Sequence, residues 1–179
     1  MNAILLPGFN GAANQPILVK LEKRLTPLGL TVRREALPRG RPSPGLEREV
    51  AALAGFAAQA SGPVVLVGRS FGGRVCARYA AGSERSVAAL VLLGFPIRPP
   101  SRPRPDDEAA LLAVRCPTLI VQGDADELGP LRVLRPLMRK SSALELAVIR
   151  GAGHSYGRRE RLALDAVTAW LPTILRTGG

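Results

Sequence analysis

Histidine occurs once among the 179 residues and cysteine twice, and aromatic side chains make up 4% of the chain. A zinc site built from His and Cys needs three or four such ligands, so none is expected. Cys76 and Cys116 show neither metal spacing nor a disulfide framework. Both are read as small apolar packing residues, and no metal or other cofactor is implied. No apolar run approaches the ~20 residues of a membrane span. The opening "MNAILLPGFNG" lacks the basic region and long apolar core of a secretory leader, which makes a cytoplasmic location the expectation. The few rings do not interleave with basic residues, so no platform for stacking nucleic-acid bases is visible.

Lysine is scarce as well, three against 22 arginines, and the formal net charge is +11. The arginines are spread through nearly every segment, among them Arg33, Arg34, Arg98, Arg102, Arg104, Arg132, Arg135, Arg158 and Arg159. That surplus reads as a solvated surface, or as attraction to an anionic substrate, a membrane surface or nucleic acid. Beyond net charge nothing in the chain supports nucleic acid. With 46% apolar and 22% charged residues the composition is that of a folded globular chain. Its length suits one domain over residues 1–179, burying roughly 70% of the extended-chain surface.

Short apolar runs at 3–6, 30–37, 64–68, 87–93, 118–122 and 144–149 alternate with helix-like segments. Four of the runs are almost continuously apolar, as strands covered on both faces of a parallel sheet are. The second, "LTVRREALP", is mixed and reads as an edge strand. Helices are expected from Pro16, with Asn14 as the cap and Pro27 and Gly29 marking the end, and at 45–60, 71–81, 106–114, 129–140 and 158–175. The alternation predicts a three-layer α/β/α sandwich around a mostly parallel sheet of about six strands in the order 2-1-3-4-5-6. The stretch "FPIRPPSRPRPDDE" is too rich in proline for a strand or helix interior and reads as a stiff surface loop.

"VVLVGRSFGG", residues 64–73, leaves a serine at the tip of the third strand with Gly68 and Gly72 two places to either side. A strand that bends abruptly into a helix projects the side chain at the bend and aims helix N–H groups at the same space. The bend crowds its neighbours, which accounts for the two glycines, and Ser70 is the candidate nucleophile. In a chain with 19 glycines the motif alone has little specificity, and the bland alternative is a tight strand-to-helix turn, or a phosphate-cradling one that here lacks the lysine and spacing of a P-loop. A serine hydroxyl also needs a base, and the single histidine, His154, lies in "RGAGHSYG" directly after the last strand. The base needs a carboxylate to hold its tautomer, and "TLIVQGDADELG" places Asp124 and Asp126 past the fifth strand. Three groups at the carboxyl ends of three parallel strands can converge above the sheet. Donors for a developing oxyanion are expected from the Phe71 N–H and from the loop after the first strand. There the Phe9 N–H is the first choice and Asn10 the second.

In order, "PGFNG", "GRSFGG", "QGDADELG" and "GAGHSYG" resemble the oxyanion loop, nucleophile elbow, acid loop and histidine loop of the α/β-hydrolase superfamily. The chain is most similar to its small lidless members related to dienelactone hydrolases. A similar domain occurs in a scaffold subunit of a chromatin-modifying complex. The family pattern of a glycine followed at the third position by aspartate maps to Gly123 and Asp126, so the resemblance selects Asp126 over Asp124. Two departures stand out: Pro7-Gly8 replaces the frequent His-Gly of the first loop, and the family's opening antiparallel hairpin has no counterpart here.

The expectation is a serine hydrolase of carboxylesterase or thioesterase type, acting on small acyl substrates through Ser70, Asp126 and His154. Phe9, Phe95, Leu128 and Tyr156 fall on loops at the strand ends and are the candidate pocket lining. A non-catalytic interaction module on the same fold is the alternative. No oligomeric state is implied.

Overall fold

The structure, a computed structural model, describes residues 1–83, 87–100 and 103–177. Strand β1 (Asn2–Leu6) is followed by α1 (Pro16–Leu25) and a 3₁₀ turn (Thr26–Leu28), and then by β2 (Thr31–Arg34) and α2 (Glu47–Ala58). Next come β3 (Val64–Arg69), α3 (Phe71–Gly82), β4 (Val87–Leu93), α4 (Pro105–Ala113) and β5 (Thr118–Gly123). Helix α5 (Leu131–Met138), β6 (Leu144–Ile149), a 3₁₀ turn (Gly157–Arg159) and α6 (Glu160–Thr177) complete the order. All six strands are parallel and lie in the order β2-β1-β3-β4-β5-β6, as expected.

Side chains alternate across the strands and divide the interior into two layers. Ile4, Leu6, Leu66, Leu90, Leu92 and Ile120 point to the face covered by α2, α3, α4 and α5, where Leu53, Val75, Leu111 and Leu134 meet them. Leu5, Val65, Val67, Val91, Leu93 and Val121 point to the other face, under Leu18 and Leu21 of α1 and Leu164, Val167 and Leu171 of α6. Every residue of β3 and β5 is buried, which is why their sequences are mostly apolar and do not alternate. Cys76 is buried and Cys116 partly so, and both are free thiols.

Several boundaries differ from the sequence expectation, each for a local reason. The edge strand spans Thr31–Arg34 rather than 30–37, because its partner β1 ends at Leu6 and Pro7 has no N–H to continue the ladder. Asn14 does not cap α1. Pro16 at the first helical position holds Gln15 extended at φ −50°, ψ 129°, so Gln15 is the boundary residue. Its side-chain Oε1 accepts instead from the Gly8 N–H at 3.1 Å. The proline-rich stretch after β4 is not wholly a surface loop: Phe95 and Ile97 are fully buried, and Pro105 opens α4 at the first helical position. Residues 101 and 102 of that stretch, Arg102 included, lie outside the described residues.

No helix among the described residues is long and apolar enough to cross a membrane. No group of three or more His, Cys, Asp or Glu side chains that could hold a metal occurs among them either.

Candidate active site

At the carboxyl end of β3 the backbone turns at Ser70 with φ 49° and ψ −111°, a conformation that side chains other than glycine rarely adopt. The turn is tied down on both sides: the Ser70 N–H donates to Leu93 O at 2.8 Å, and the Gly72 N–H donates to Pro7 O at 3.1 Å. It leaves no room for side chains at its flanks. A Cβ at Gly72 would stand 2.5 Å from Pro7 O, and one at Gly68 would overlap the backbone of Gly73. Helix α3 starts at Phe71, so its N-terminal N–H groups face the space over Ser70.

The loop after β6 carries His154 to this bend. His154 Nε2 lies 2.8 Å from Ser70 Oγ, and Nδ1 lies 2.8 Å from Asp126 Oδ2. Asp126 sits on the turn after β5 and is 2% exposed, while the His154 side chain remains 27% exposed. Three donors converge on the Asp126 carboxylate. Gln122 Nε2 reaches Oδ2 at 2.7 Å, the Leu128 N–H reaches Oδ1 at 2.9 Å, and the imidazole is the third. Asp124 faces elsewhere: its Oδ1 accepts from the Gly151 N–H at 2.8 Å and from Ala152 N–H at 3.3 Å, bracing the turn that carries His154.

Arg69, the residue between Gly68 and Ser70, was not among the expected site residues. The residue is 7% exposed and its guanidinium spans the site, donating to His154 O at 2.7 Å and to Leu93 O at 3.2 Å. One of its nitrogens also stands 3.3 Å from His154 Nε2. A guanidinium can only donate and an ionised carboxylate can only accept. The ring therefore has an acceptor at Nδ1 and a donor at Nε2, and both neighbours select the tautomer protonated at Nδ1. In that tautomer Nε2 is free to accept the Ser70 proton. Burial holds the Arg69 pKa below the ordinary arginine value, opposed by attraction to Tyr156 and Asp126. A charged residue closing an apolar strand and a glutamine inside "TLIVQG" were the signals for Arg69 and Gln122. Neither forms a motif by itself.

The first loop brings its backbone against the bend, with a Cβ at Gly8 falling 3.8 Å from Ser70 Cβ. Among the described residues nothing accepts the N–H of Phe9 or Phe71. Asn10 has φ 51°, and its side chain accepts from the Gly40 N–H at 3.0 Å. The four expected lining residues separate into two kinds. Phe9 is 56% exposed and packs its ring edge-on to Phe71, with centroids 5.7 Å apart, and Leu128 is partly buried. Phe95 and Tyr156 are buried and do not line an open surface. Phe95 joins the core on the α3 side, and Tyr156 donates its hydroxyl to Val121 O at 2.7 Å beneath Arg69. Burial pushes the Tyr156 hydroxyl pKa well up.

A family model described as an alpha/beta hydrolase domain matches residues 32–173. Est1E from Butyrivibrio proteoclasticus superposes with a TM-score of 0.80 at 17% identity, covering 98% of this chain and 88% of that one. An alpha-beta serine hydrolase homologue from Coxiella burnetii is 25% identical, with a TM-score of 0.75 and coverage of 95% and 84%. The esterase domain of a Rhodothermus marinus protein is 19% identical, with a TM-score of 0.72 and coverage of 94% and 84%. Among curated proteins none matches the chain.

Proposed function

The chain belongs to the alpha/beta hydrolase family, and on that premise we propose that it is a serine hydrolase of carboxylesterase or thioesterase type acting on small acyl substrates. The observation that carries this reading is the hydrogen-bonded row from Ser70 Oγ through His154 to Asp126, 2.8 Å at each step. Ser70 Oγ attacks the acyl carbonyl as its proton passes to His154 Nε2, and Asp126 stabilises the imidazolium that forms. The oxyanion of the tetrahedral intermediate takes the unclaimed N–H of Phe71 and that of Phe9, with Asn10 as the alternative donor in the same loop. His154 then protonates the departing alcohol or thiol, and water attacks the acyl-Ser70 ester by the same route in reverse.

The segment between β4 and β5 holds α4 and, among the described residues, no inserted lid, so the row is reached from solvent. An open site favours small or exposed acyl groups over long buried chains. The test is covalent labelling with a fluorophosphonate probe. The wild type is expected to label, Ser70→Ala not at all and His154→Ala far more slowly. Labelling that persists in Ser70→Ala sinks the assignment of the nucleophile. An unlabelled wild type favours the non-catalytic alternative.

A further inference from the structure

On the α3 side of the sheet lies a cleft of about 500 Å³, none of whose lining residues takes part in the hydrolytic mechanism. Four arginines line it, Arg41, Arg74, Arg78 and Arg104. Two of them are fixed from beneath by Asp107, which is fully buried: Oδ2 accepts from Arg74 Nε at 2.5 Å and Oδ1 from Arg78 Nε at 2.9 Å. Both oxygens of that carboxylate are thus occupied in holding guanidiniums. Asp106, at the rim with 73% of its side chain exposed, stands 3.5 Å from Arg78. Arg104 is anchored to Pro96 O at 3.1 Å. Among the described residues Arg41, Arg74 and Arg78 face the two carboxylates of Asp106 and Asp107, both of which are engaged by Arg74 and Arg78. Among the described residues no acceptor takes the terminal nitrogens of Arg74 or the guanidinium of Arg41.

The walls are stiff. Pro42 and Pro44 form one side and Pro103 and Pro105 the other, so backbone torsions are locked where the cleft is shaped. One wall of the cleft, Arg74, stands on the helix that the nucleophile opens. Arg74 lies one helical turn after Ser70, about 6 Å along the axis. Long helical side chains lean back toward the N-terminus, and the Arg74 guanidinium accordingly rests on the Phe71 ring, its carbon 5.7 Å from the centroid.

We propose that this cleft binds a phosphate group of the substrate, which narrows the class to short acyl esters whose alcohol side carries a phosphate a few bonds from the scissile carbonyl. The inference rests on the serine-hydrolase reading above. Phosphate oxygens accept the paired N–H donors of guanidinium forks, and Arg41 and the terminal nitrogens of Arg74 offer such donors to the cleft.

Two measurements test it. In the first, Ser70→Ala protein is titrated with inorganic phosphate by calorimetry at low ionic strength, alone and with Arg41→Gln or Arg74→Lys. Each added substitution is expected to weaken binding about tenfold, the share of one charge-assisted contact. Arg132→Gln, exposed on α5, is expected to leave it unchanged. In the second, the wild type is given 1-acetylglycerol and 1-acetylglycerol 3-phosphate, which differ only in the phosphate. The phosphorylated ester is expected to have a kcat/KM about tenfold higher or more, and Arg41→Gln to reduce that ratio. Absent phosphate binding, equal weakening by Arg132→Gln, or equal kcat/KM for the two esters would overturn the proposal. If neither ester is cleaved and Ser70 does not label, the hydrolase reading has failed instead, and the phosphate titration still decides the cleft.

Discussion

Among the described residues Nε2 of His154 meets the Ser70 hydroxyl at 2.8 Å and the Arg69 guanidinium at 3.3 Å, while Nδ1 meets Asp126 at 2.8 Å. Removing the acceptor at Nδ1 frees the ring to adopt the other tautomer, which cannot take the serine proton. On the proposed mechanism Asp126→Asn is therefore expected to lower kcat by about 10⁴, measured on a small activated ester. Asp124→Asn touches only turn N–H groups, so its effect is expected on stability, about 1 kcal/mol by chemical denaturation, with turnover nearly retained. Equal losses of turnover in the two variants would undo the distinction between the aspartates. Arg69→Met removes the two donors that fasten the His154 carbonyl and the end of β4. The expected cost is about 2–3 kcal/mol of stability, the range of hydrogen bonds to a charged group, together with a fall in kcat larger than any change in KM. Turnover unchanged in Arg69→Met would show that Ser70 and Asp126 hold the imidazole without it.

At the scale of elements, the bend between β3 and α3 is where the molecule stores strain. Ser70 is held at φ 49° by its own N–H, which donates to β4, and by the N–H of Gly72, which donates to the loop after β1. Gly72 tests the tie between the bend and the first loop, because the atom a side chain would strike is that loop's backbone, Pro7 O at 2.5 Å. Gly72→Ala is expected to destabilise the fold by about 1–3 kcal/mol, as overpacking does, and to slow fluorophosphonate labelling as the first loop is pushed from the bend. A variant that labels at the wild-type rate would mean that the loop gives way without disturbing Ser70. The glycines and the strand-to-helix junction were legible in "VVLVGRSFGG", since an apolar run followed by a crowded turn has few other uses. The burial of Phe95 and Tyr156 was not. Both follow strand ends in sequence as lining residues do, and only the packing of α3 against β4 and of the His154 loop over Val121 turns them inward.

Across the whole molecule, the three side chains of the row come from the ends of β3, β5 and β6. These strands belong to one sheet whose two faces are closed by continuous apolar layers. The row is thus expected to melt with the sheet in a single cooperative step. In a urea titration, loss of probe labelling and loss of far-UV circular dichroism should share one midpoint, whereas labelling lost well before the sheet would locate a local opening of the loops. Chain order by itself determined that a serine, an aspartate and a histidine follow the third, fifth and sixth of six parallel strands, because apolar periodicity and glycine-marked turns are local properties. It likewise determined the strand order, through the alternation of strands and helices and the mixed character of the edge. Between the two aspartates local pattern left a choice that the resemblance made for Asp126, the one whose carboxylate meets the ring, and only the tertiary structure decided that Arg69 fastens the histidine loop. It also decided that Arg41, Arg74, Arg78 and Arg104, up to 63 positions apart in the chain, line one cleft. These are distances across a folded surface, set by how α2, α3 and α4 pack, and no neighbouring residue in the chain encodes them.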